Sequence, residues 1–160
     1  MTHTTAAAMS GGVDSSAAAL LLLREGRELL GLTLRLFNGG EEGTDAAAVA
    51  AQLGFPHRTL DMRREFRSGV IDPFAAEYER GRTPNPCVLC NRAVKFGALL
   101  RKAEELGCGR LATGHYARAD YDAGAGRWLL KKAARPDKDQ SYELAMVTQE
   151  QLSRVLFPLG

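Results

Sequence analysis

The segment Ser10-Gly11-Gly12-Val13-Asp14-Ser15-Ser16 concentrates groups suited to chemistry. Its glycines let backbone amides approach phosphate oxygens, and the helix predicted from Ser15 to Arg24 turns its positive end toward the same anion. Ser15 and Ser16 add hydroxyl donors. The alternative is a plain glycine turn with a Ser/Asp helix cap. No lysine precedes the serines, as a Walker A loop would require, so pyrophosphate release fits better than transfer of a terminal phosphate.

A second candidate is Cys87-Val88-Leu89-Cys90, a spacing used for redox, metal or sulfur chemistry. The pair lies at the start of a predicted helix, where unpaired amides and the helix dipole favour a thiolate, and Arg92 and Lys95 add positive charge. A buried structural pair, or half of a zinc site, is the competing reading. Cys108 follows the helix predicted over Asn91 to Leu106. Roughly 16 residues at ~1.5 Å each put it about 24 Å from the pair, so it reads as a small core residue. His3, His57 and His115 fall on other elements, which argues against four-coordinate zinc from this chain alone.

These residues need a scaffold that brings them together. Thr4 to Met9 reads as a strand leading into the glycine loop, and a second strand spans Leu29 to Phe37. Asp45 is placed to cap a helix through Leu53 that Gly54 ends, and Phe55 to Leu60 suggests a third strand. A helical stretch through Phe66, Val70 and Phe74 precedes the loop Gly81 to Pro86, whose prolines prevent a helix from running through it and which displays the cysteines. Arg110 to Thr113 forms the next strand, followed by Gly114-His115-Tyr116. Trp128 to Lys132 is a further strand after a loop at Ala123 to Gly126, and Thr148 caps a last helix through Leu156. Alternating strands and helices predict an α/β fold, a parallel sheet with helices on both faces. Ligands of such sheets lie beyond the carboxyl ends of the strands, where Gly114 would allow close approach of a nucleotide. His115 reads equally well as a satisfied turn histidine. The run Asp137-Lys138-Asp139-Gln140-Ser141 offers groups for phosphates or base edges, or forms a solvated loop.

The 160 residues suit one domain, and 45% hydrophobic with 25% charged residues excludes the disordered class. The apolar run Ala17 to Leu23 is far short of the roughly 20 residues that span a bilayer. No secretory signal is visible at the amino terminus, so no membrane association and a cytoplasmic location are expected. A formal charge of +2 selects no partner; local cations such as Arg82, Arg92, Lys95, Lys131, Lys132 and Lys138 would have to carry any contact with nucleic acid.

Four blocks in order, Ala8 to Ser16, Gly81 to Asn91, Ala112 to Arg118 and Lys138 to Tyr142, resemble the tRNA-specific 2-thiouridylase family. The first looks like the SGGxDS loop of ATP-pyrophosphatases (PP-loop enzymes), a Rossmann-like fold class. The resemblance implies that Ala8, Met9, Ser10, Gly11, Gly12, Val13, Asp14, Ser15, Leu34 and Gly114 contact ATP, with Asp14 holding Mg²⁺. It further implies that Asn85, Pro86 and Cys87 face the target uracil, that Lys138, Asp139 and Gln140 touch tRNA, and that Cys90, beside Cys87, is catalytic. The implied reaction adenylates the 2-oxygen of the wobble uridine and replaces it with sulfur, releasing AMP and pyrophosphate, with tRNA and a sulfur-donor protein such as a cysteine desulfurase as partners.

Family members continue past the position of Gly160 into a segment with a second essential cysteine, then a linker and a β-barrel. The chain is therefore expected to be a single catalytic domain over 1–160. In the family, the further cysteine carries a persulfide or completes a [4Fe-4S] site with Cys87 and Cys90. Differences from the family pattern are Cys87 where many members have Asp, a short loop around Gly39 to Gly43, and Glu143 where an aromatic residue is common. Competing readings are a PP-loop enzyme acting on a small molecule and a non-catalytic module that binds ATP or a cluster for a partner. Oligomeric state is not set by the sequence.

Overall fold

The computed structural model describes residues 4–39 and 43–160. Strand β1 (Thr5–Ala8), helix α1 (Val13–Arg24), β2 (Leu29–Arg35), α2 (Thr44–Leu53) and β3 (His57–Asp61) follow one another with short connections. A first long helical tract comprises α3 (Arg63–Phe66), a π-helical stretch Arg67–Ile71 and α4 (Asp72–Glu79). A second comprises α5 (Pro86–Cys90), a π-helical stretch Asn91–Leu99 and α6 (Leu100–Glu105). Then come β4 (Arg110–Ala112), β5 (Ala117–Asp122), β6 (Arg127–Lys132), two 3-10 turns (Pro136–Lys138 and Ser141–Leu144), α7 (Gln149–Leu152) and β7 (Val155–Leu156).

Among the described residues, five strands form one parallel sheet in the order β3-β2-β1-β4-β7, while β5 and β6 pair as a separate antiparallel hairpin. The order runs outward from β1 to β3, then restarts on the other side of β1 with β4. The reversal opens a crevice beyond the carboxyl ends of β1 and β4, where such sheets bind ligands.

Both faces of the sheet are covered because successive residues of a strand point to opposite sides. Ala6, Leu30, Leu32 and Leu111 pack with Phe96, Leu99, Leu144 and Leu152 in one core. Their chain neighbours Ala7, Leu29 and Ala112 pack with Ala19, Leu22, Ala46 and Ala50 in the other. Cys108 is 4% exposed inside the first core, the position expected of a small packing residue. Gly54 and Gly107 take φ of 81° and 81° just past α2 and α6, the left-handed ends their sequence positions suggested.

Four local expectations change. Gly43 is the amino-terminal cap of α2, without a side-chain cap bond, and Asp45 lies inside the first turn. Pro86 starts a helix: its fixed φ suits the first helical position, and Asn85 Oδ1 accepts from Cys87 N at 2.9 Å, so the cysteines occupy helical turns and are not displayed by a loop. The final helix stops at Leu152. Thr148 and Gln151 do form its capping box, but Val155 and Leu156 leave it to pair with Leu111 and Ala112 at the sheet edge. Strand β5 was not anticipated, because Ala117-Arg118-Ala119-Asp120-Tyr121-Asp122 has no apolar run; its pairing with β6 creates it, closed by Asp122 Oδ1 accepting from Gly124 N and Ala125 N.

No helix among the described residues is long and apolar enough to cross a membrane. Gly40, Glu41 and Glu42 of the short loop, and His3, lie outside the described residues.

Candidate nucleotide cleft and cysteine turn

The turn after β1 is built by its own serines. Ser15 Oγ donates to Gly12 O at 3.1 Å and accepts from Ser10 N at 3.2 Å, Ser16 Oγ donates to Gly12 O at 2.9 Å, and Gly12 N donates to Ser10 Oγ at 3.3 Å. Both serine hydroxyls thereby shape the loop. The two adjacent glycines have different reasons to be there. Gly11 has φ of 82°, and a Cβ on it would come within 2.6 Å of Asp45 Cβ. Gly12 has ordinary extended backbone, and a Cβ there would meet only Ser10 Oγ, at 3.4 Å. Gly12 is thus the place where the loop leaves room for something else.

A cleft of about 500 Å³ opens beside this turn. Ala8, Met9, Ser10, Asp14, Ser15, Leu34 and Gly114, all singled out from the sequence, line it; Gly11, Gly12 and Val13 belong to the adjoining turn. Leu32, Leu34, Leu36 and Leu99 give it an apolar wall suited to a flat heterocycle, and Ser10 and Lys95 give it donors suited to phosphates beside the Asp14 carboxylate. Gly114 also has a packing role: a Cβ on it would press within 2.9 Å of Ser15 N and 3.0 Å of Asp14 C, so its smallness lets the β4 end dock on the start of α1. Tyr116 Oη donates to Asp14 Oδ1 at 2.9 Å, which pushes the tyrosine pKa up.

One buried histidine, His115, lines the cleft, and a half-buried one, His57, supports Thr33 of its lining. Thr33 Oγ1 donates to Met9 O at 2.8 Å, so its contact with His57 Nε2, also 2.8 Å, must be donated by the ring. His115 is 6% exposed; Lys95 Nζ can only donate to its Nε2, at 3.5 Å, leaving Nδ1–H to donate to Thr113 Oγ1 at 2.8 Å. Burial, aided by the Lys95 charge, lowers the His115 pKa to about 3, and burial lowers that of His57. His115 is a satisfied, neutral wall of the cleft. Thr33, Thr113, Lys95 and His115 were not assigned to the nucleotide site from sequence; the available signal was a position near the carboxyl end of β2 for Thr33, just beyond β4 for Thr113 and His115, and about one helical turn past the cysteines for Lys95.

The cysteine turn lies outside the cleft lining. Cys87 is exposed and Cys90 partly buried. For Cys90 burial opposes the helix-favoured thiolate: it pushes the thiol pKa up, Lys95 opposes this, and Cys87 adds to the rise. Next to it, Asn91 is 1% exposed, with Nδ2 donating to Glu143 O at 3.1 Å and Oδ1 without a partner. This bond ties the cysteine helix to the Ser141–Leu144 turn.

Of the three residues expected to touch RNA, Lys138 is exposed, whereas the others organise the chain. Asp139 Oδ1 accepts from Ala133 N at 2.8 Å and Oδ2 from Ser141 Oγ at 2.8 Å, contacts that lower its pKa. Gln140 exchanges bonds with the Tyr116 backbone, at 2.9 and 3.0 Å, and lines the cleft. The suggested cation set is also dispersed: Arg82 pairs with Glu77, Lys131 with Asp120, and Lys95 faces the cleft.

One exposed carboxylate, Asp14, beside a phosphate-sized space fits Mg²⁺, which usually takes one or two protein carboxylates and completes its shell with phosphates and water. An iron-sulfur cluster does not fit the described residues. They hold no group of three potential ligands, and Cys108 is buried in a core.

A parallel sheet that reverses order beside a serine-braced glycine turn, with a cleft at the reversal, defines an α/β domain of the Rossmann-like HUP type. The family model described as tRNA methyl transferase HUP domain matches residues 3–160. The tRNA-specific 2-thiouridylase MnmA of Acidobacterium capsulatum is 48% identical, over 99% of this chain and 47% of its own length. That of Trichlorobacter lovleyi is 51% identical, over 97% and 45%. The chain therefore belongs to the tRNA-specific 2-thiouridylase family, and it spans about half the length of the curated relatives it matches. A solved structure from Methanocaldococcus jannaschii, described as a predicted subunit of tRNA methyltransferase, shares the fold with a TM-score of 0.59 and 20% identity, over 98% of this chain and 68% of that one.

Proposed function

We propose that this domain performs ATP-dependent 2-thiolation of uridine in tRNA, in the cytoplasm, binding ATP in the cleft and using Cys90 for sulfur transfer. One observation carries the reading: the helix that begins with the cysteine pair continues to the cleft, where Lys95 contacts His115 and lines the same space as Ser10 and Asp14. A nucleotide site and a thiol thus share one rigid element.

When bound, ATP supplies an adenylyl group to the uridine 2-oxygen, making AMP the group that sulfur displaces, with pyrophosphate released. The chain's residues have the following parts. Amides around Gly12 hold phosphate, with Asp14 as the Mg²⁺ ligand and Leu34 and Leu36 against the base. Asn85 fixes the start of the cysteine helix and Pro86 its direction, so that Cys87 and Cys90 meet the uracil. Lys138, exposed on its turn, contacts the RNA backbone. Sulfur arrives from a donor protein as a persulfide whose outer sulfur displaces AMP from C2. Attack of the Cys90 thiolate on the inner sulfur then breaks the S–S bond, releasing 2-thiouridine and leaving a disulfide that an added thiol reductant reopens. No step is assigned to a cluster.

The test is incubation of the purified chain with ATP, Mg²⁺, a cysteine-desulfurase sulfur source and unmodified tRNA, followed by nucleoside mass spectrometry. ATP-dependent 2-thiouridine is expected. Pyrophosphate release driven by a small acceptor and unaffected by tRNA would overturn the assignment.

A further inference from the structure

Lys95 stands where the two candidate sites meet. It lies five residues after Cys90 in a π-helical stretch, whose hydrogen bonds join residue i to i+5, so Cys90 and Lys95 follow one another along one side of the helix. Its ammonium lines the cleft and donates to His115 Nε2. Among the described residues lining the cleft it is the one cation, since His115 is neutral; the other charged group there is Asp14. Two anions therefore call on a single positive charge: the phosphates of a bound nucleotide and the thiolate of Cys90.

We infer that Lys95 is a charge shared between the cleft and the cysteine, binding nucleotide phosphate on one side and stabilising the Cys90 thiolate on the other, so that nucleotide occupancy governs how nucleophilic Cys90 is. This rests on the reading of the cleft as an ATP site. In the structure without nucleotide, Lys95 is the group that holds the Cys90 thiol down against burial and against Cys87. A polyanion in the cleft would draw on the same charge, and the release of pyrophosphate would return it. Because binding and ionisation are linked through one group, the effect is reciprocal: whatever ATP does to the thiol, the thiolate does to ATP affinity. His115 keeps the ammonium at the junction without competing for protons, as it remains neutral near pH 7.

Lys95→Met and Lys95→Arg separate charge from bulk, with circular dichroism to confirm folding. Calorimetry reads ATP affinity, and iodoacetamide labelling resolved residue by residue in a mass spectrometer reads Cys90 as a function of pH. Lys95→Met should weaken ATP binding on the order of tenfold, the loss of one charge-assisted hydrogen bond. It should also slow Cys90 labelling at pH 8 several-fold, with Lys95→Arg retaining most of both properties. In the wild type, ATP with Mg²⁺ should move the labelling midpoint to higher pH; in Lys95→Met that movement should be lost. A wild-type protein that binds no ATP defeats the cleft reading itself. ATP binding in the wild type with affinity alone, labelling alone, or neither altered in Lys95→Met overturns the shared charge.

Discussion

The turn at Ser10–Ser16 and the turn at Asn85–Cys90 both lead a loop into a helix, yet they are held in opposite ways. The first is laced by its own serine hydroxyls and presses against Asp45 and Gly114, so its shape is fixed before any ligand arrives. The second rests on one side-chain bond, from Cys87 N to Asn85 Oδ1, and leaves Cys87 exposed. A preorganised cradle suits recognition of a constant ligand. A lightly held pair of thiols suits chemistry that must exchange sulfur with other molecules.

If the two regions have separate tasks, substitutions should split them. The largest effect is expected for Cys90→Ser: loss of tRNA thiolation in the nucleoside assay, with ATP affinity unchanged by calorimetry. A fall in ATP affinity would show that the thiol is structural to the cleft. Next, the adjacent glycines should part company. Gly12→Ala should lower ATP affinity at least about tenfold while leaving the thermal midpoint alone, since its Cβ meets nothing closer than 3.4 Å. Gly11→Ala should cost about 2–3 kcal/mol of stability, from left-handed strain plus the collision with Asp45. Equal behaviour of the two in melting and calorimetry would contradict the distinction.

A smaller effect concerns pH. The His115 pKa of about 3 lies below the unfolded value of about 6.5, so the folded state binds fewer protons between them. Its contribution to stability is present above about pH 6.5 and is lost as pH falls toward about 3, with a slope of up to ~1.4 kcal/mol per pH unit; half-buried His57 acts in the same direction. Denaturant melts of the wild type and His115→Asn across this window should show a shallower slope in the variant. Identical slopes would mean that the ring is not buried neutral. The smallest change is expected for Cys108→Ala, about 1 kcal/mol of packing with ATP binding and thiolation intact, because this thiol lies in the core beneath the sheet.

Much of the molecule was legible in order along the chain. The glycine loop between strand and helix, the glycine stops at Gly54 and Gly107, the Thr148 cap and the core position of Cys108 all follow from local rules: positive φ, capping geometry and helix length. These depend on neighbours a few residues away, which a sequence displays directly. What the sequence misjudged depended on distant partners. Strand β5 exists because β6 pairs with it, and β7 because the edge of β4 is open to Val155 and Leu156. The bonds of Asp139 to Ala133 N and of Gln140 to the Tyr116 backbone likewise join residues that local rules do not connect.

The same division runs through the site. The residue types and spacing of Ser10–Ser16 and Cys87–Cys90 determined which chemistries were available. Only the tertiary structure decided that strand-order reversal brings Gly114 against Asp14, that partial burial of Cys90 works against its ionisation, and that Lys95 lines the cleft. The physical reason is that phosphate-binding geometry arises from backbone within one turn, whereas desolvation and charge pairing are set by whatever the fold packs alongside.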